Sequence, residues 1–172
     1  WKAPAGVALN SDFTVKVRLQ DGVWHTLSSY LIKVDEVRDT RHYVENASMA
    51  IFDFTGKVEV AVTYNLGEVQ TAKVRPLSYD IPFQIDGNTV TFTLEHPRNL
   101  SVEVNGDIFH NLHLFTGSPE RTIPDKDNPE VIYFGPGIHT VKNGELRVPS
   151  GKTVYLAGGA VLMGRVLIEN VH

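Results

Sequence analysis

The feature that most constrains this chain is a period-two alternation of apolar and polar residues, carried in short runs with turn residues between them. Thr14-Val15-Lys16-Val17-Arg18-Leu19, Lys57-Val58-Glu59-Val60-Ala61-Val62-Thr63-Tyr64 and Thr89-Val90-Thr91-Phe92-Thr93-Leu94 each put alternate side chains on one face. A helix would scatter those apolar residues around its axis, so the runs predict strands with one buried face. Shorter candidates lie at 24–27, 30–34, 49–54, 72–77, 82–85, 100–104 and 112–115. Asp21-Gly22, Thr55-Gly56, Asn65-Leu66-Gly67, Asp86-Gly87-Asn88 and Asn105-Gly106 supply the turns. Only 33–46 leaves room for a short helix. Many short strands without intervening helices predict an all-β fold that begins with an antiparallel β-sandwich over residues 1–116.

The texture then changes twice. Residues 117–130 hold three prolines and no apolar rhythm, which reads as a linker loop. Over 131–172 very short apolar runs recur: 131–134, 138–141, 146–148, 153–156, 160–163 and 166–168. Gly135-Pro136-Gly137, Asn143-Gly144, Pro149-Ser150-Gly151, Gly158-Gly159 and Gly164 punctuate them. That rhythm fits a parallel β-helix, whose corners need residues able to take positive φ. Six strands at three per turn of the solenoid would make two coils. Solenoid coils bury their faces against neighbours, so the natural protein is expected to continue past the strand that reaches Ile168-Glu169-Asn170-Val171-His172. A start at Trp1 rather than Met points to removal of a leader, hence to a secreted or periplasmic location.

Composition narrows the partners. With 42% apolar and 21% charged residues the chain is ordinary for a globular protein. Sixteen Lys and Arg against twenty Asp and Glu give a net charge of -4 without a basic stripe, so no nucleic-acid partner is expected. No apolar stretch is long enough to cross a bilayer, so no membrane partner is expected either. The absence of Cys removes disulfides, thiolate catalysis and cysteine-based zinc sites.

Residues 131–139, Val-Ile-Tyr-Phe-Gly-Pro-Gly-Ile-His, and 146–164, Leu-Arg-Val-Pro-Ser-Gly-Lys-Thr-Val-Tyr-Leu-Ala-Gly-Gly-Ala-Val-Leu-Met-Gly, resemble the start of the catalytic β-helix in certain glycoside hydrolases. These are the polygalacturonase-like and dextranase-like enzymes, of the family 28 or family 49 type. Leu100-Ser-Val-Glu-Val-Asn-Gly106 and Asn111-Leu-His-Leu-Phe115 look like the end of the β-sandwich that precedes that helix in several members. The resemblance implies a right-handed β-helix and hydrolysis of a polysaccharide or oligosaccharide by paired carboxylates. In that family the carboxylates lie several coils in, within Asn-x-Asp and Asp-Asp motifs. Residues 131–172 contain neither motif, and their carboxylates are Glu145 and Glu169. Catalytic residues are therefore expected beyond His172, and the chain reads as the N-terminal, non-catalytic part of such an enzyme. It would cap the β-helix and help to shape the substrate groove, with the remainder of the β-helix as a partner. A stand-alone carbohydrate-binding module, a piece of a β-helix polysaccharide lyase and a structural solenoid fragment are the alternatives.

Sugar rings stack on flat aromatic faces, so Trp24, Tyr30, Tyr43 and Tyr79 are the candidate carbohydrate-binding residues, with core packing the competing role for each. Gly151-Lys152-Thr153 imitates the end of a phosphate-binding loop, but Leu146 stands where that loop needs glycine, and a strand follows. Asp125, Asp127, Asn128 and Glu130 offer alternating oxygen donors without the glycine and final glutamate of a helix-loop-helix calcium site. His110 and His113 are three apart and would point to opposite faces of a strand, while His42, His96 and His139 are isolated. No metal and no cofactor is expected. Asn46-Ala-Ser48 and Asn99-Leu-Ser101 fit the N-glycosylation pattern, which matters only in a eukaryotic host.

Overall fold

The alternating runs form strands because only pleated backbone buries every second side chain. The computed structural model describes residues 2–168. Its first ten strands are β1 (Phe13–Arg18), β2 (Trp24–Thr26), β3 (Tyr30–Arg38), β4 (Arg41–Asp53), β5 (Val58–Tyr64), β6 (Ala72–Arg75), β7 (Phe83–Asp86), β8 (Thr89–Leu94), β9 (Leu100–Val104) and β10 (Asp107–Gly117). They make two five-stranded sheets, ordered β2-β1-β5-β8-β7 and β3-β4-β10-β9-β6. In the first sheet Val15, Val62 and Val90 stand in one row and Val17, Val60 and Phe92 in another. These join Val74, Val102, Leu112 and Leu114 of the second sheet in one buried cluster. Two sheets that share one core are a β-sandwich.

The second sheet is not wholly antiparallel as expected. Strands β4 and β10 run parallel, with Ser48 opposite Leu112 and Ala50 opposite Leu114. After β4 the chain crosses to the first sheet and returns through β6, so no hairpin dictates the direction in which β10 meets β4. The window 33–46 is a long hairpin rather than a helix: β3 pairs with β4 from Tyr30 opposite Met49 to Arg38 opposite Arg41. Asp39 and Thr40, both at positive φ (46° and 66°), make its two-residue turn. Its outer half buries little, with Val37 and Val44 exposed. Polar bonds hold it instead, from His42 to Asp35 (2.6 Å) and from Lys33 to Asn46. A strand pair fastened this way lacks the apolar alternation that betrays the others.

Ala8–Pro119 form one compact unit, and a second draws on the residues before Ala8 and those from Glu120 on. The second unit holds β11 (Val131–Phe134), β12 (Gly137–Val148), β13 (Thr153–Leu156) and β14 (Ala160–Ile168). Strand β11 pairs in parallel with β13, and β12 with β14. Val131 meets Thr153 and Gly137 meets Ala160, so each strand finds its partner roughly 22 residues on, one solenoid repeat. The expected separate runs 138–141 and 146–148 are one bent strand, as are 160–163 and 166–168. The β12–β14 ladder resumes after an irregularity between Thr140 and Glu145, where Asn143 (φ 55°) and Gly144 (φ 70°) turn the chain without ending the pairing. The pairing is that of adjacent coils, two strands deep, and stops short of a closed β-helix. The strand end read at 168–172 falls, after Ile168, outside the described residues.

Candidate functional site

The four candidate aromatics lie on separate elements and are not brought together. Trp24 is on the edge strand β2, Tyr30 opens β3, Tyr43 lies in the outer half of β4, and Tyr79 is in a short 3-10 turn, Leu77–Tyr79. Tyr30 and Tyr43 share one ladder, yet Tyr43 pairs with Glu36, six residues along β3, which is about 20 Å at strand rise. Tyr30 is half-buried, and burial pushes its phenol above the usual range. The other three remain 37–39% exposed.

Each of those three carries an arginine over its ring. The guanidinium carbon of Arg18 is 4.7 Å from the Trp24 ring centre, that of Arg38 is 4.9 Å from Tyr43, and that of Arg98 is 4.3 Å from Tyr79. A planar cation attracted to the negative face of a ring occupies the surface on which a sugar would stack. Arg18 also donates from Nε (3.1 Å) and Nη2 (2.5 Å) to Glu59, its cross-strand partner. Arg38 pairs with Glu36 and, at 3.5 Å, with Glu45. The hydrogen bond from Arg38 holds the Glu36 carboxyl below its ordinary value, against the opposing effect of burial.

Arg98 differs. Its Nε donates to Nε2 of His96 at 2.7 Å, which requires the imidazole tautomer with its proton on Nδ1. Its backbone is tied to Thr116, whose Oγ1 accepts from Arg98 N–H (2.6 Å) and donates to Arg98 C=O (2.8 Å). Thr116 N–H donates to the Asn99 side-chain oxygen at 3.3 Å. Together with Ser78 and Pro97 these residues line an open concavity of about 620 Å³. It offers a guanidinium, amide and hydroxyl groups and a ring, and none of its lining residues is a carboxylate. Such a surface can bind and orient a polar ligand but supplies no acid and base pair for glycoside hydrolysis. Of its residues the sequence marks only Tyr79 for binding. Ser78 is its neighbour in the 3-10 turn, the others come from the 96–99 loop and the far end of β10, and no spacing in the chain announces their meeting.

The remaining polar groups are engaged structurally. Glu145 lies between Arg147 (2.7 Å) and Arg165 (2.7 Å), the latter its partner on the next coil. Asp125 and Asn128 accept backbone N–H groups of Asp127 (3.0 Å) and Glu130 (2.9 Å), capping their own turn. Lys152 donates to Pro129 C=O (2.9 Å) and Glu130 (3.1 Å). No cluster of three or more His, Asp or Glu residues suited to a metal ion occurs among the described residues.

His110 sits at the β10 bulge between Asp107 (2.9 Å) and Glu45 (3.2 Å). The bond to Asp107 holds its imidazole above the ordinary value, opposed in part by burial. Burial works against the Asp107 charge in turn, but backbone N–H groups of His110 and Phe109 and the His110 ring outweigh it, and the carboxyl falls below its ordinary value. His113 stacks on Phe115, and burial lowers its basicity.

No family profile and no curated protein sequence matches the chain. Among solved structures it is similar to Dex49A from Penicillium minioluteum, with a TM-score of 0.65 and 16% identity. The likeness covers 95% of this chain and 44% of that one, so the chain spans less than half of its structural counterpart. At that identity the likeness is one of fold, an all-β architecture shared with part of Dex49A.

Proposed function

We propose that this chain is the N-terminal, non-catalytic portion of a secreted glycoside hydrolase that degrades a polysaccharide. The observation that carries the reading is the sequence of a β-sandwich followed by parallel strands paired one coil apart, in an order shared with a fraction of Dex49A. In this reading the residues from Val131 on begin the β-helix that bears the active site further along, and the preceding part shields its start and helps to hold the glycan. The carboxylate inventory supports the non-catalytic assignment. Glu145, the carboxylate of β12, is bridged by two arginines and is not poised to protonate a leaving oxygen.

The test is to incubate the purified chain with polygalacturonate and with dextran and to measure new reducing ends. No turnover is expected, whereas the parent polypeptide should hydrolyse one of the two. Sustained hydrolysis by these 172 residues alone would overturn the proposal.

A further inference from the structure

Three arginines lie over aromatic rings in the sandwich, and two of them are neutralised by glutamates, Arg18 by Glu59 and Arg38 by Glu36 and Glu45. Arg98 alone of the three has no carboxylate partner among the described residues. It is nonetheless held in place. Tyr79 supports one face of the guanidinium, His96 fixes Nε, and Thr116 clamps the backbone on both sides. Among the described residues the two Nη groups have no protein acceptor, and Arg98 lines an open concavity. A mobile surface arginine would lose side-chain entropy on gripping an anion, and here much of that ordering is already done.

We propose that this concavity binds the carboxylate of an acidic sugar residue in a glycan. The paired Nη groups match the two oxygens of a carboxylate in a bidentate bond, a geometry that a neutral sugar hydroxyl cannot satisfy. Asn99 and Ser78 line the same concavity, and an amide and a hydroxyl are groups that can take sugar hydroxyls. Tyr79 then acts as the platform of Arg98 and not as the ring on which the sugar stacks. The inference rests on the carbohydrate reading above and adds the substrate class, an anionic glycan chain.

The experiment is an NMR titration of the uniformly nitrogen-labelled chain, expressed in a bacterium so that Asn99 carries no glycan. The ligands are trigalacturonate, its methyl ester, isomaltotriose and sodium acetate; the variants, which lack an arginine at 98, are followed through the backbone amide signals of Asn99 and Thr116, and the wild type also through its Arg98 side-chain Nε signal. Trigalacturonate should shift these signals saturably. The methyl ester and isomaltotriose should leave them in place, and acetate should bind at least about tenfold more weakly. R98Q should abolish the response, and R98K, which keeps the charge but loses the fork, should weaken binding about tenfold. Matching backbone spectra of the two variants establish that they fold.

Equal binding of the methyl ester would overturn the carboxylate assignment while leaving the carbohydrate reading intact. Equal affinity for acetate would overturn the sugar part of the inference. An unchanged response in a folded R98Q would overturn the site. Hydrolysis by the chain, which bears on the reading above, is measured independently of all three.

Discussion

Tyr133 and Tyr155 face each other across one coil repeat, paired in register with ring centroids 5.1 Å apart. Stacking equivalent residues of successive coils lets each coil bury its neighbour's aromatic face, which is how a solenoid with no wide core stabilises itself. The Tyr155 hydroxyl in turn donates to the Glu120 carboxylate.

That bond should be visible in a titration. The hydrogen bond to Glu120 favours the neutral phenol and pushes Tyr155 up to about 12. Tyr155 should therefore give a late component in the tyrosinate absorption band, beyond the smaller delay that burial gives Tyr30 among the six tyrosines. In E120Q that late component should move down towards the ordinary phenol range, and a late component unchanged in E120Q would refute the assignment.

Gly164 should resist substitution more strongly than other turn glycines. Its φ is 150°, and an added Cβ would lie 2.3 Å from Val141 Cγ2 and 2.9 Å from the Gly144 carbonyl oxygen. At Gly87 (φ 58°) a Cβ would meet nothing within 4 Å. G164A should cost about 3 kcal/mol of unfolding free energy and G87A about 1 kcal/mol, as read by urea denaturation. Equal losses would show that the corner at Gly164 relaxes.

The two partners at the β10 bulge titrate in opposite senses. The folded-state value of His110 is raised, so its bond to Asp107 contributes stability that is complete below the ordinary imidazole value and fades as pH rises through the raised one. Asp107 is lowered, so its contribution is present above the ordinary carboxylate range and fades as pH falls through the lowered value. The pair should be strongest in mildly acidic solution, with a small amplitude because His110 is exposed. Denaturation midpoints followed from pH 5 to pH 8 should fall more for the wild type than for H110Q. Parallel profiles would remove the bulge from the account.

Leu112 stands at the centre of the shared core with no exposed surface, opposite Val102 on one side and Ser48 on the other. Its truncation in L112A should cost about 3 kcal/mol, because a rigid two-sheet core cannot collapse onto the space left behind. Chemical denaturation monitored by circular dichroism measures it, and a loss under about 1 kcal/mol would contradict the packing.

The strands whose inner face is buried were legible because burial writes itself into the chain as alternation. Val58, Val60 and Val62 are fully buried while Glu59, Ala61 and Thr63 between them are not. The hairpin of β3 and β4 was not legible, since its outer half is fastened by charges and histidine and not by a core. The parallel meeting of β4 and β10 was equally hidden, because strand direction depends on a crossover that no local pattern encodes. Of the candidate aromatics, the sequence marked Tyr79 only as a residue able to stack.

By itself the sequence determined the all-β character, the turns and the short glycine-punctuated repeat after Val131, since each follows from backbone preference and side-chain period within a few residues. Only the tertiary structure decided which polar groups are spent on one another. It paired Arg18 and Arg38 with Glu59 and Glu45 of neighbouring strands and set Arg98 between Tyr79 and His96 with no glutamate partner among the described residues. Charge compensation acts through space at a few ångströms, and neighbours at that distance come from parts of the chain whose separation in sequence carries no sign of it.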